Sequence, residues 1–250
     1  MSVHSSQMHI RGDIEIHVDI HGEGDPLVLL HGFTGCGRDF QHFGETLHEG
    51  FRAIVPDLPG HGRSGNPRGT FVFRDVARDM YSLLDELGID RFRALGISGG
   101  ANVLLHMATQ QPSRVEAMVI AAAAPYFPEQ ARALMRQMTV EGRSEEDWRD
   151  MRERHARGDA QIVALWEQGR AFAARHDDMS FTPPHLATIT ARTLIVYGDR
   201  DPLYPVELAV EMYRAIPDAK LWVLPGAGHG AAFEERESFV RVARSFLRTP

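Results

Sequence analysis

The sequence predicts an α/β protein: a mostly parallel, twisted sheet with helices on both faces and a helical cap inserted late in the chain. Three observations carry this. Short apolar runs alternate with stretches of helical spacing along most of the length. Several of these runs, such as Leu27-Val28-Leu29-Leu30, are apolar without alternation, as strands covered on both faces must be. The alternation then lapses between Pro125 and Pro184, where only helix-like segments occur.

Taken in order, Ile14 to Ile20 alternates apolar and polar residues and reads as a half-buried strand. His21-Gly-Glu-Gly-Asp-Pro26 is a turn leading into the strand Leu27 to Leu30, and Arg52 to Val55 is a further short strand. Val72 to Leu87 has helical spacing and stops at Gly88. A strand over Arg93 to Ile97, a helix over Ala101 to Gln110 and a strand over Val115 to Ala122 follow.

In the strandless region, Pro128 stands at the allowed first turn of a helix. Ser144-Glu-Glu-Asp147 resembles a capping box with the shorter Asp in place of Glu. Asp159 is expected to cap a third helix through Trp166 and Phe172, and Thr182-Pro-Pro184 ends the region. The strand Thr193 to Tyr197, a helix over Pro205 to Ile216, the strand Ala219 to Leu224 and a last helix over Ala231 to Leu247 complete the chain. The expected division is a core of residues 1–124 and 185–250 with a cap of residues 125–184, which would supply apolar walls to a pocket.

Composition narrows the function. The 250 residues are 43% hydrophobic and 24% charged, ordinary for a soluble globular protein. A formal charge of -7 offers no electrostatic reason to expect nucleic acid or an anionic membrane as partner. The arginine-rich stretch Arg143 to Arg157 is interleaved with Glu and Asp, as on a solvated helix. A single cysteine, Cys36, excludes an internal disulfide and fits a reducing compartment. The first ten residues hold no apolar core of signal-peptide length, and Ala117 to Ala124 is too short to span a bilayer. The expectation is a cytoplasmic protein, as monomer or homodimer.

The chemistry gathers around three glycine-rich connections. Gly96-Ile-Ser-Gly-Gly100 matches G-x-S-x-G between a strand and a helix, the context in which a sharp turn lifts a serine hydroxyl clear of the sheet. The helix that follows aims its N-terminal N–H groups at the same spot, favouring developing negative charge. A nucleophilic serine also needs a base and an orienting acid. Leu224-Pro-Gly-Ala-Gly-His-Gly230 puts His229 in a loop just past a strand. The chain has 13 histidines, so position and not type singles it out: a loop at a strand's carboxyl end faces the same rim as Ser98. Val196-Tyr-Gly-Asp-Arg-Asp-Pro202, again directly past a strand, offers Asp199 and Asp201 as the acid. His61, in Asp57-Leu-Pro-Gly-His-Gly62, is a rival base. No His/Cys cluster has metal-ligand spacing, and no G-x-G-x-x-G follows the first strand, so neither metal nor nucleotide cofactor is implied.

With His31-Gly-Phe-Thr-Gly35, Asp57-Leu-Pro-Gly-His-Gly-Arg-Ser64, Gly96-Ile-Ser-Gly-Gly100, Gly198-Asp-Arg-Asp201 and Gly226-Ala-Gly-His229, the chain resembles the α/β-hydrolase superfamily over essentially its full length. The resemblance implies Ser98 as nucleophile, His229 as base and, from the loop pattern G-x-x-D, Asp201 as acid, with Asp199 stabilising the loop. An earlier position for the acid reads Ala121-Ala-Ala-Ala-Pro125 here and has no carboxylate to offer. It further implies that the backbone N–H groups of Phe33 and Gly99 hold an oxyanion, that the Phe33 side chain lines the pocket, and that His31 is structural.

The cap offers Tyr126, Phe127, Trp148 and Trp166 as candidate substrate contacts, along with Met135, Met138, Phe172 and Phe181. A pocket lined by several of these favours apolar acyl or aryl groups. The leading expectation is a carboxylic-ester hydrolase working through an acyl-enzyme on a small-molecule ester. The resemblance also covers enol-lactonases, thioesterases, hydrolases of carbon–carbon bonds in ring-fission products and a menaquinone-pathway lyase. Some proteins of this fold are small-molecule receptors that turn over slowly or not at all, which leaves a non-enzymatic reading open.

Overall fold

A computed structural model of the chain describes residues 5–11 and 14–249. Strands β1 (Ser5–Arg11), β2 (Ile14–His21), β3 (Asp25–Leu30), β4 (Phe51–Pro56), β5 (Phe92–Ile97), β6 (Val115–Ala121), β7 (Arg192–Gly198) and β8 (Ala219–Leu224) form one sheet. Their order is β1-β2-β4-β3-β5-β6-β7-β8. β2 pairs antiparallel with both β1 and β4, and all the later neighbours run parallel. Helices α1 (Phe73–Glu86), α2 (Gly99–Gln110), α3 (Glu129–Met135), α4 (Glu145–Arg154), α5 (Asp159–Ala171), α6 (Pro183–Leu186), α7 (Val206–Ala215), α8 (Ala231–Glu234) and α9 (Arg236–Arg248) accompany it.

The unbroken apolar runs find their physical reason in this sheet. Side chains alternate between its two faces, and both faces are covered. Val28, Leu30, Met118, Ile120, Ile195 and Tyr197 pack toward α1, α2 and α7. Leu27, Leu29, Val119, Ala121, Leu194 and Val196 pack toward α8, α9 and the 3-10 turns of residues 37–48. Each such buried aliphatic side chain is worth about 1.5–3 kcal/mol relative to an exposed one.

From β3 the chain steps to β4 on one side, then crosses to β5 on the other. The connections therefore diverge at the carboxyl ends of β3 and β5, which opens a crevice between the two loops. Helices α3, α4, α5 and α6 lie between β6 and β7 in sequence, and α6 straddles the expected boundary at residue 184.

Some expectations are corrected. β2 is buried on both faces and not half-buried: His17, Asp19 and His21 are all below a tenth exposed. The loop after β4 covers the polar face, where Arg63 pairs with Asp19 at 2.6 Å and with Asp57 at 3.0 Å. β1 carries no apolar run and was not expected; it is held by pairing with β2 from Ser5↔Ile20 to Arg11↔Ile14. The last helix is broken into α8 and α9 at Glu235. Gly158, not Asp159, is the N-cap of α5, with Asp159 in its first turn. The capping box at Ser144 is present, its hydroxyl accepting from Asp147 N–H at 3.1 Å.

The N-cap of α1, Val72, has no side chain able to cap. Asp178, between α5 and α6, does this instead: its carboxylate accepts from Phe73 N–H at 2.7 Å and Arg74 N–H at 3.1 Å. Burial against the same region pushes His106 down to about pKa 4, and burial likewise pushes His155, at the end of α4, down to about 4.

These two histidines make the fold acid-sensitive. In the unfolded chain each takes a proton near pH 6.5, whereas in the fold each stays neutral until about pH 4, so acidification through that window favours unfolding. Each can contribute up to about 1.4 kcal/mol of lost stability per pH unit. Burial raises the carboxyl of Asp178 and opposes the trend, but burial also lowers His17, His31, His48 and His61, which add to it. The melting temperature followed by far-UV circular dichroism is expected to fall steadily from pH 6.5 to pH 4. A flat profile there would show that these imidazoles ionise in the fold without cost.

Candidate active site

β5 ends at Ile97 and α2 begins at Gly99, which leaves Ser98 alone at the corner with φ 50° and ψ -113°. For a residue with a side chain this conformation costs about 1–3 kcal/mol and persists only where the surroundings over-determine it. They do so here. Ser98 N–H donates to Ala121 O at 2.8 Å, and Asn102 N–H donates to Ser98 O at 2.9 Å. A Cβ on Gly96 would stand 2.7 Å from the Gly100 carbonyl, and one on Gly100 would stand 2.1 Å from Leu30 O. The glycines let the first turn of α2 lie directly against the ends of β3 and β5. The half-buried serine hydroxyl faces the crevice between the diverging loops.

Two later loops bring their side chains to it. His229 Nε2 lies 2.8 Å from Ser98 Oγ, and His229 Nδ1 lies 2.7 Å from Asp201 Oδ2. The side chain of Asp201 is wholly buried, and its other oxygen accepts from Leu203 N–H at 2.8 Å and Tyr204 N–H at 3.1 Å. A carboxylate on Nδ1 holds the proton there and leaves the Nε2 lone pair facing the hydroxyl, the arrangement of a proton acceptor for serine. Asp199 points elsewhere: its carboxylate accepts from Gly226 N–H at 2.6 Å and so braces the loop that carries His229. The same two loops touch backbone to backbone, where a Cβ on Gly198 would stand 2.2 Å from Ala227 O.

The loop after β3 closes the other side. Phe33 N sits 2.8 Å from where a Cβ on Gly99 would be, so the backbones of these two residues lie against each other. Buried histidines fix this loop. His31 Nε2 accepts from Leu58 N–H at 2.9 Å, so Nδ1 carries the proton and donates to Gly32 O at 2.8 Å. His155 works in the same way from the helical segment: Nδ1 accepts from Gly62 N–H at 2.9 Å, and Nε2 donates to Thr34 O at 3.1 Å. Thr34 has φ 65°, a second strained residue held by its surroundings. Burial lowers the pKa of both His31 and His155, which keeps them neutral donors and acceptors. His61 is fully buried among Phe33, Phe71 and His155 and is not brought to Ser98; burial pushes its pKa well down.

A cavity of about 690 Å³ opens over Ser98 and His229. One end is aromatic: Phe33 meets Phe172 edge-on at 4.7 Å between ring centres, Phe73 lies 5.1 Å from Phe172, and Phe127 stacks with Tyr204 at 6.2 Å. Met135, Met138 and Leu203 fill in between. The other end is polar, with Asp39, His42, Arg154 and Arg236. Arg154 pairs with Asp39 at 3.3 Å and with Asp150 at 3.1 Å.

Of the expected contacts, Phe33 and Phe127 line this cavity, whereas Tyr126, Trp148 and Trp166 do not. Tyr126 turns outward and donates its hydroxyl to Glu211 at 3.2 Å. Trp148 and Trp166 spend their surface on each other, edge to face at 4.7 Å, as α4 and α5 pack together. Phe73, Asn102, Leu203 and Tyr204 line the cavity without having been singled out. Leu203 and Tyr204 had a signal, since they directly follow Asp201 in the same loop. Arg154 and Arg236 had none beyond their charge. Among the described residues, no group of three or more His, Cys, Asp or Glu side chains is arranged to hold a metal ion. No described helix is long and apolar enough to cross a membrane.

A doubly wound sheet with a serine at its central strand-to-helix corner, and a histidine and an aspartate arriving from later loops, defines a class of hydrolases. The profile described as "Alpha/beta hydrolase family" matches residues 27–242, and the chain belongs to that family. It is 28% identical over 268 residues to a 2-hydroxy-6-oxo-6-phenylhexa-2,4-dienoate hydrolase of Comamonas testosteroni, covering 94% of this chain and 92% of that one. It is 27% identical over 258 residues to a pimeloyl-[acyl-carrier protein] methyl ester esterase of Nitrosomonas europaea, covering 90% and 96%. Among solved structures it is similar to MGS-M2, an alpha/beta hydrolase enzyme from a Medee basin deep-sea metagenome library. The TM-score is 0.82 at 18% identity, with 98% of each chain covered.

The corner at Ser98 depends on bare backbone at residue 100. Gly100→Ala is expected to destabilise the fold by about 3 kcal/mol or more, because the added methyl meets a carbonyl of β3 that cannot move aside. Thermal unfolding would then occur about 6–12 °C lower. Gly230→Ala, where only the flexible Glu234 carboxylate is near, at 3.3 Å, is the control and should shift it little. Equal melting temperatures for the two variants would refute the packing constraint.

Proposed function

We propose that the protein is a serine hydrolase that cleaves carboxylic esters bearing an apolar portion, with residues 125–184 acting as the lid over the pocket. The observation that carries this reading is the continuous chain Ser98 Oγ, His229 Nε2, His229 Nδ1, Asp201 Oδ2, with links of 2.8 Å and 2.7 Å. In the proposed reaction His229 takes the hydroxyl proton as Ser98 Oγ bonds to the ester carbonyl carbon. The N–H groups of Phe33 and Gly99 hold the oxyanion of the tetrahedral adduct. His229 passes its proton to the alkoxide oxygen, the C–O bond breaks, and an acyl-serine remains. Water then repeats the sequence, giving its proton to His229 and releasing the acid and free Ser98. Asp201 holds the imidazole tautomer and stabilises its charged form. The aromatic end of the cavity suits the apolar portion of the substrate.

A second reading, supported by the named activity of the Comamonas testosteroni relative, is hydrolysis of a carbon–carbon bond next to a ketone. The same residues would serve, with the proton delivered to a carbon leaving group in place of an alkoxide.

p-Nitrophenyl esters of increasing acyl length, assayed beside 2-hydroxy-6-oxo-6-phenylhexa-2,4-dienoate, separate the two. Ester turnover by the wild type is expected to fall at least about 10^4-fold in Ser98→Ala. Turnover of the dienoate with none of the esters would replace the first reading by the second, and turnover of neither would sink both. Asp201→Asn should cost about 10^3–10^4-fold in kcat through the wrong imidazole tautomer, and Asp199→Asn less than about tenfold.

His155 tests the support of the oxyanion loop. His155→Phe keeps a ring of similar size but removes both the bond to Thr34 O and the acceptor of Gly62 N–H. It is expected to lower kcat about tenfold with KM within about twofold, below the loss from deleting a donor outright. A change confined to KM would show that the residue serves binding and not the loop.

A further inference from the structure

Beside the catalytic cavity lies a second one of about 700 Å³ that the proposed reaction does not use. Its wall on one side is α9; on the other it is the segment from Gln41 to Thr46. Arg236, Arg241, Arg244 and Arg248 all face into it. Their spacings of five, three and four residues keep them on one side of the helix, along about 18 Å of its length at about 1.5 Å per residue. Phe43 and Val240 provide apolar surface between them.

The charges are not cancelled. Glu237 is a carboxylate on the same wall, and Glu49 pairs with Arg244 while its carbonyl accepts from Arg248 at 2.7 Å. Arg241 is exposed and makes no ion pair among the described residues, nor does Arg236, which donates only to His42 O at 3.2 Å. A chain of net charge -7 thus concentrates uncompensated positive charge in one groove. Guanidinium groups are suited to bidentate recognition of carboxylate and phosphate. The groove adjoins the catalytic cavity, with His42 and Arg236 lining both.

We propose that this groove binds the anionic end of an elongated substrate. One half of the ester fills the aromatic end of the catalytic cavity. The other half passes over the His42–Arg236 contact and ends in a carboxylate or phosphate held by Arg241 and Arg248. The proposal rests on the ester-hydrolase reading for its reaction, but the groove has a test of its own.

Butanoate esters of dodecan-1-ol, 12-hydroxydodecanoate and 12-hydroxydodecyl phosphate share one acyl group and differ only in the charge of the alcohol arm. At low salt the two anionic esters are expected to show KM values at least tenfold below that of the neutral dodecyl ester. The advantage should shrink in 0.5 M NaCl, roughly the range where screening shortens to a few ångströms. It should collapse to within about twofold in the Arg241→Gln/Arg248→Gln double variant. Arg241→Gln alone, at a position without an ion pair, should lose part of it and carries the test if the double variant folds poorly. The larger advantage of the two anionic esters distinguishes phosphate from carboxylate as the preferred end. Equal KM values for all three esters, or an anionic preference that survives in the variants, would overturn the proposal.

Calorimetric titration with hexyl phosphate separates this from the reaction itself. Binding that weakens at least tenfold in the double variant supports the groove even if no ester is turned over. Ester turnover without such binding overturns the groove and leaves the hydrolase reading intact.

Discussion

The structure turns on one close approach, the first turn of α2 lying bare against the end of β3. Leu30 O and Gly100 are so near that no side chain fits between them, and that contact forces the chain through Ser98 in a left-handed corner. The pairings Leu30↔Gly96 and Ile97↔Ala121 bring three strand ends level around that corner. The same device recurs at Gly198 and Ala227, where the loops bearing Asp201 and His229 meet backbone to backbone. Atoms from three separate loops come within hydrogen-bonding distance because glycine removes the spacers that would hold those loops apart.

Around this steric frame, the Asp201 carboxylate is bonded at both oxygens and the buried imidazoles behind the loop after β3 are kept neutral. Asp201 is buried with three donors on its two oxygens, so a low-dielectric surrounding strengthens each bond and leaves the carboxylate little freedom to turn. Behind the loop after β3, His31 and His155 hold carbonyls and accept backbone N–H groups without adding charge. Neutral imidazole offers one donor and one acceptor on a rigid ring, which is what a loop with a strained Thr34 requires.

Much of this was legible beforehand, and the reason differs from part to part. Strands β3 to β7 announce themselves because burial on both faces demands apolar runs, and the half-buried edge strand β8 by its run Leu221 to Leu224. Ser98, Asp201 and His229 stand out because glycine-rich loops directly after such runs can only lie along one rim. β1 left no mark because an edge strand held by main-chain pairing needs no apolar code. The burial of β2 was hidden because its polar residues are covered by partners more than thirty positions away, among them Arg63. Cavity lining was the least legible. An aromatic on an amphipathic helix reads alike whether it faces a ligand or a neighbouring helix, so Phe127 and Trp166 could not be told apart until the packing of α4 on α5 was known.

One feature of the helical segment bears on how the chain becomes a single body. Asp178 closes the open end of α1, a helix that begins 105 residues earlier in the chain. Val72 cannot supply that bond, and orphan N–H groups at a buried helix end are expensive. A core helix is therefore completed by a residue of the segment laid over it. Excision or exchange of that segment between relatives would uncap α1 unless a carboxylate were carried along at the same place.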